Sequence, residues 1–242
     1  MNGEPITLKL QPAHARKFGG LFQFTDPESL RYAIADADCY VSGGILSAEV
    51  TDCRRAVRWT LSGLDAPDCK FRIPGSLLGR LSKLPKTAKD VELRVYEKDV
   101  SVCWAQTGKV KQREFREWPS AGRFPDISLH CPTPDPTDRD ISTVYGSADA
   151  WRGALPAFNP IYEFDPVSRL FSQSAKATPE LTAKVHAMPL AFRMNVELFR
   201  DFIDFADGDV TTYFPSRGPL YAHTEKGLPM FAQFWQMGCS PE

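Results

Sequence analysis

The sequence predicts an α+β protein of two domains, each with helices on one face of antiparallel sheets. Three observations predict it. Short runs of alternating apolar and polar residues recur at strand length along the chain. Only two short helices with one apolar face interrupt these runs in each half. A segment punctuated by Pro119, Pro125, Pro132, Pro134 and Pro136 separates two stretches of the same rhythm. The 242 residues are room for one large domain or two of roughly 100–130 residues. The proline-rich segment selects two: 1–127 and 140–242, joined by a linker over 128–139.

The elements follow in order. Residues 6–10 alternate as a half-buried strand does. Residues 12–18 read as a short helix, opened by a proline near its first position and ended by Gly19-Gly20. Strands are expected at 32–37, 45–50 and 56–61. Residues 74–84 form a second helix with Leu77, Leu78, Leu81 and Leu84 on one face, stopped by Pro85. Strands return at 91–96, 101–105 and 110–116. Beyond the linker, 141–145 reads as a strand and 148–155 as a helix. Strands at 161–164, 168–173 and 183–188 lead to a helix over 196–206 with Phe199, Phe202, Ile203 and Phe205 apolar. Strands at 210–214, 220–223 and 231–237 close the chain. Each half thus reads strand, helix, strands, twice over: a repeat of architecture without evident sequence identity.

Composition narrows the function classes. Hydrophobic residues make up 43%, enough for a packed core. Lys plus Arg number 29 and Asp plus Glu 30, a formal net charge of −1. That argues against tight nucleic-acid binding by bulk electrostatics, yet permits DNA if charge is segregated to one face. No apolar run reaches membrane-spanning length, and the first ten residues lack a signal-peptide layout, so a cytoplasmic protein is expected. Cys39, Cys53, Cys69, Cys103, Cys131 and Cys239 form no C-x-x-C and no close His–Cys set; thiols are expected, not zinc ligands or disulfides.

Catalytic patterns are missing. His14, His130, His186 and His223 stand in no metal spacing. No nucleophile elbow, phosphate loop or dinucleotide fingerprint occurs. Asp36-Ala37-Asp38 and the acidic run over 204–209 admit a Mg²⁺ site, but Asp-rich turns and helix ends are commoner. No catalytic residue, metal or cofactor is expected. The basic residues are more informative. His14, Arg16 and Lys17 lie on the first helix, Arg80 and Lys83 on the second, with Lys86 and Lys89 after it. They are either solvated helix faces or a row of cations meeting phosphates without sequence preference, weakened by salt. In the second half Arg152, Arg193 and Arg200 stand beside Glu197, Asp201 and Asp204, a less basic set. The run Phe231, Phe234, Trp235 and Met237 is apolar for a chain end. Trp and Met suit adaptable peptide-binding surfaces; alternatively, Phe234 is buried and Trp235 caps the core.

Several strings carry a family resemblance. Leu30-Arg31-Tyr32-Ala33-Ile34 looks like an arginine-led strand, Val50-Thr51-Asp52-Cys53-Arg54-Arg55 like an A-T-D-G-H-R turn, and Gly122-Arg123-Phe124-Pro125-Asp126 matches G-R-F-P-D. Residues 192–203 resemble a last helix opened by F-N-V-x-x-L, and Leu228 to Met237 a final strand. Together they resemble the middle and C-terminal domains of the bacterial DNA polymerase III β subunit, a sliding clamp. The family's N-terminal domain has no counterpart, 159–188 match poorly, Cys53-Arg54 replaces gly-his, and Trp235-Gln236-Met237 replaces M-P-M.

The resemblance implies a DNA clamp fold and a non-catalytic subunit that encircles duplex DNA and tethers DNA polymerase or other replication and repair proteins. It implies a channel lined by helices, here His14, Arg16, Lys17, Arg80, Lys83, Lys86, Arg152 and Arg200. It also implies a hydrophobic pocket between the two domains that takes a short peptide from polymerase or clamp loader. Carried over by position, its residues are Ile34, Thr51, Asp52, Cys53, Arg54, Arg55, Trp235 and Met237. Such rings are pseudo-six-fold, so a two-domain subunit is expected to form a homotrimer. Two alternatives stand beside this one: a clamp-like interaction protein that binds such peptides without forming a ring, and an enzyme on an unrelated α+β fold that uses the carboxylate clusters.

Overall fold

The computed structural model describes residues 4–29, 33–106, 113–135, 141–155, 182–184, 192–193, 195–215, 218–225, 229–237 and 240–241. The chain divides into two compact units, Met1–Asp52 with Val57–Asp126, and Cys53–Ala56 with Ile127–Glu242.

The first unit is built from one motif used twice. Its first copy is β1 (Ile6–Leu10), α1 (Pro12–Gly19), a 3₁₀ turn (Gly20–Phe24), β2 (Asp36–Ser42), β3 (Ile45–Thr51) and β4 (Arg55–Leu61). Its second copy is β5 (Cys69–Pro74), α2 (Gly75–Ser82), β6 (Ala88–Val95), β7 (Val100–Gln106) and β8 (Arg113–Glu117). The leading strand of each copy pairs in the other copy's sheet. β1 lies antiparallel to β6, with Leu8 opposite Leu93, in a sheet ordered β1-β6-β7-β8. β5 lies antiparallel to β2, with Phe71 opposite Cys39. Neither sheet is complete without a strand from the other repeat.

The helices pack on this frame and on each other. α1 begins at Pro12, whose missing N–H is one that no helix would satisfy there. It buries Ala15, Phe18 and Gly19, and α2 buries Leu77, Leu78 and Leu81. Phe18 stacks on Trp59 with ring centroids 5.4 Å apart. The helices meet at Gly19, where a Cβ would stand 2.2 Å from the Ser82 nitrogen and 2.6 Å from the Leu81 carbonyl carbon. Only a residue without a side chain permits that approach.

The second unit holds α3 (Ile127–His130), β9 (Ile141–Ser147), α4 (Ala148–Ala154), β10 (Thr182–Lys184), β11 (Phe192–Arg193), α5 (Val196–Phe205), β12 (Asp209–Pro215), β13 (Leu220–Thr224), β14 (Met230–Gln236) and β15 (Ser240–Pro241). Its main sheet runs β10-β9-β12-β13-β14, and β11 pairs with β15. The exchange recurs: β9 precedes α4 but pairs with β12, which follows α5, placing Val144 opposite Thr212. Both helices are capped. Ser147 Oγ accepts the Ala150 N–H at 3.0 Å, and Asn195 Oδ1 accepts those of Glu197 and Leu198 at 3.0 and 3.3 Å. Phe202 stacks on Phe234 at 4.8 Å, and Trp151 meets the Phe199 ring edge-on at 5.3 Å.

Some elements differ from expectation. The strand expected at 32–37 starts at Asp36, and the helix expected over 74–84 is Gly75–Ser82. β5 and the one-turn α3 were not expected; α3 is too short to show a helical period. The strands expected at 161–164 and 168–173, and most of 183–188, fall outside the described residues.

Two glycines in the helix layer should respond oppositely to alanine. Gly19→Ala is expected to lower the unfolding free energy by about 2 kcal/mol, as overpacking does. Gly79→Ala, whose Cβ would make ordinary 3.7 Å contacts with Phe22, is expected to be neutral or to stabilise by up to about 1 kcal/mol through helix propensity. Urea unfolding of both variants checks the pair.

Candidate functional site

The basic residues of the first unit come from two helices that touch. His14, Arg16 and Lys17 lie on α1, partly buried; Arg80 on α2, and Lys83 and Lys86 just beyond it, are exposed. Arg16 donates across to the Pro85 carbonyl at 3.5 Å, which brings the end of α1 beside the loop that carries Lys83 and Lys86. Arg80 is partly offset. Its guanidinium lies 4.2 Å over the Phe115 ring and 3.7 Å from the Glu117 carboxylate.

The second unit uses its cations differently. Arg152 pairs with Asp149 at 2.6 Å and Asp204 at 3.2 Å, and donates to the carbonyls of Ile203 and Ala206 at 2.9 and 3.3 Å. Those carbonyls end α5, where unpaired acceptors and the helix dipole attract a cation. Arg200 reaches back to the Leu155 carbonyl at 3.5 Å. The Arg152 guanidinium caps the end of α5 and is paired with two carboxylates. Of its two carboxylate partners, Asp149 lies three residues away on α4, and Asp204 on α5 is brought in by the fold.

The residues expected to take a partner peptide fall in both units. In the first, Ile34 and Thr51 are buried and Asp52 is half-buried. In the second, Cys53 and Arg54 are exposed, and the Arg54 carbonyl accepts the Met237 N–H at 2.7 Å. Arg55 is buried, with its guanidinium 2.5 Å from Asp201 and 3.3 Å from the Leu198 carbonyl. Met237 is half-buried. Trp235 is only 1% exposed. Its indole donates to the Pro132 carbonyl at 3.2 Å and packs 5.3 Å from Tyr221. Phe234 packs on the helix layer, the other face of β14 is covered too, and both rings are buried.

Cys53 has φ +67°, in the left-handed region. In the turn that this segment resembles, the position is glycine, which adopts such a φ without penalty. A β-carbon there costs about 1 kcal/mol or more.

The Gly122–Asp126 string is held in place within the first unit. Arg72 donates to the Gly122 carbonyl at 2.8 Å, and Asp36 accepts the Ser120 N–H and hydroxyl at 2.6 and 3.1 Å. Burial pushes the Asp36 carboxyl above its ordinary 3.8, opposed by the Ser120 bonds and by Arg72. Beside it, Asp38, Tyr40, Glu49, Arg72, Arg123 and Asp126 help to line a recess of about 530 Å³. Two of its carboxylates are paired: Asp38 lies 3.1 Å from Lys70 and 3.5 Å from Arg72, and Glu49 is 2.6 Å from Arg58. Among the described residues, no group of three or more His, Cys, Asp or Glu could hold a metal, and no helix is long and apolar enough to cross a membrane.

No protein-family profile and no curated protein matches the chain. Solved structures do. The DNA polymerase sliding clamp from Bacillus subtilis is 13% identical with a TM-score of 0.64, covering 96% of this chain and 64% of that one. The DNA polymerase III β subunit from Thermotoga maritima is 11% identical with a TM-score of 0.68, covering 96% and 65%. That from Borrelia burgdorferi, in complex with a natural product, is 11% identical with a TM-score of 0.72, covering 98% and 64%. The chain spans 64–65% of the length of these three proteins. At such identity the likeness is one of fold, and the fold is that of the sliding clamps.

Two substitutions test these local assignments. Cys53→Gly is expected to raise stability by about 1 kcal/mol by removing the left-handed penalty, read by urea unfolding. Asp36 titrates with a raised value in the folded state, so its contribution is full below 3.8 and is lost as pH rises through the raised value. Asp36→Asn, neutral throughout, is expected to flatten that loss in melting curves recorded from about pH 3 to pH 7.

Proposed function

We propose that this chain is the subunit of a sliding clamp, a non-catalytic cytoplasmic ring that encircles duplex DNA and holds a DNA polymerase or another replication or repair protein on it. The observation that carries the reading is the fold match over 96–98% of the chain, with TM-scores up to 0.72. The cations of α1, α2 and the loop after α2 add to it. With Arg152 and Arg200 of the second unit, His14, Arg16, Lys17, Arg80, Lys83 and Lys86 supply a phosphate-facing set whose contacts are independent of sequence. Six domains complete a ring of this kind, so a two-domain subunit assembles as three copies around DNA. Partner peptides from polymerase and clamp loader are taken by Ile34, Thr51, Asp52, Cys53, Arg54, Arg55, Trp235 and Met237.

A second reading has one observation in its favour. The second unit's Arg152 is committed to acids and helix carbonyls, which leaves that unit with less positive charge for DNA. On this reading the chain keeps the clamp fold and binds polymerase peptides without forming a ring.

Retention on circular DNA separates the two. The ring is expected to stay on a nicked circle and to slip off once the circle is cut, with three copies recovered by cross-linking. Changing Lys83 and Lys86 together to Glu is expected to weaken retention severely with little loss of stability, since exposed charge changes shift it by about 0.5 kcal/mol or less each. Equal loss from circular and linear DNA would favour the ringless reading. Met237→Ala is expected to weaken a fluorescent polymerase-derived peptide by about 1–2 kcal/mol; unchanged affinity in a titration would remove Met237 from the peptide site.

A further inference from the structure

Among the described residues, β8 is the last strand of its sheet and hydrogen-bonds on one side only, to β7. Open strand edges are templates for another strand. The sequence of β8 is Arg113-Glu114-Phe115-Arg116-Glu117. Laid antiparallel on a second copy about Phe115, it puts Arg113 opposite Glu117, Glu114 opposite Arg116 and Phe115 opposite its own counterpart. Every charge meets its opposite, the arrangement that stabilises directly facing cross-strand pairs.

The side chains are already set for this. Alternation puts Glu114 and Arg116 on one face and Arg113, Phe115 and Glu117 on the other. Arg116 is held by Asp99 at 2.5 and 2.9 Å, and Glu114 accepts from Ser101 at 2.8 Å. On the opposite face Arg80 covers Phe115 and reaches Glu117. Trp118 follows at once and is 77% exposed, the most exposed large apolar side chain among the described residues. The other sheet edges lack the pattern. β1 opposes Lys9 with Thr7, β5 carries Lys70 and Arg72 without an acid and ends in Pro74, and β10 holds only Lys184 as a charge.

We propose that β8 pairs antiparallel with β8 of a second copy of this chain across a two-fold axis, with Trp118 covered by the partner. The contact is isologous and closes at two copies. It occupies β8 on both chains, so it holds the protein in a form apart from any ring that uses this edge. The proposal does not rest on the clamp reading, because it concerns the free protein in solution.

Two single variants of the full chain test it. Arg113→Glu puts like charges opposite each other at both ends of the paired strands, and so does Glu117→Arg. In an equimolar mixture, one copy of each restores opposite charges at every position. The parent is expected to sediment as a dimer at tens of micromolar. Each variant alone is expected to dissociate about tenfold more readily or worse, through lost and reversed cross-strand pairs, and the mixture to recover the dimer. A parent that is monomeric or trimeric without DNA overturns the proposal. So do single variants that dimerise like the parent, and a mixture that fails to recover. Should Glu117→Arg not fold, having lost its Arg80 and Ser76 contacts, Arg113→Glu and Trp118→Ala decide it: weakened dimers support β8, unchanged ones overturn it.

Discussion

The exchange of leading strands between repeats is the constraint on which the rest of the fold depends. β1 completes the sheet of β6–β8, β5 completes the sheet that contains β2, and β9 joins β12 in the same way. Each exchange makes the chain cross between repeats directly before a helix, so the paired strands dictate where that helix starts. α1 and α2 are thereby brought close enough that only Gly19 fits between their backbones. The positions of Arg16, Lys17, Lys83 and Lys86 follow from that approach, and the charge pattern of the helix layer is a product of strand pairing.

The two units then spend similar residues on different tasks. In the first, the lysines beyond α2 stand exposed on a surface shaped by packing beneath them. In the second, Arg152 is drawn to the end of α5, where four acceptors compete for one guanidinium. A charged-group bond of that kind is worth more than exposure to solvent. Arg55, buried against Asp201 and the Leu198 carbonyl, behaves likewise: its planar fork ties the segment Cys53–Ala56 to the start of α5.

Much of this was legible in the sequence where a period was long enough to read. Leu77, Leu78 and Leu81 mark the face of α2, and Phe199 and Phe202 that of α5, because burial on one side leaves a helical spacing. The α+β class and the doubled motif followed from the sparse helices. The clamp resemblance rested on short strings such as Gly122–Asp126, which Arg72 now holds in place. Less legible were residues whose fate is set by distant partners. Alternation along β14 offers one buried face, yet Phe234 and Trp235 are both enclosed, because Pro132 closes the second face from over a hundred residues away. Cys53 was noted only as a departure from glycine; its left-handed φ gives that departure a physical meaning.

The burial of the indoles gives the protein a built-in optical asymmetry. Of the five tryptophans, Trp59, Trp104, Trp151 and Trp235 are buried and Trp118 stands in solvent at the end of β8. A collisional quencher such as iodide reaches that one fluorophore and leaves the other four emitting. The quenchable fraction of the native emission therefore reports the surroundings of a single residue, and no label has to be attached. Whatever covers the end of β8 would be seen as protection from quenching, while loss of the core would be seen separately as four further indoles becoming accessible.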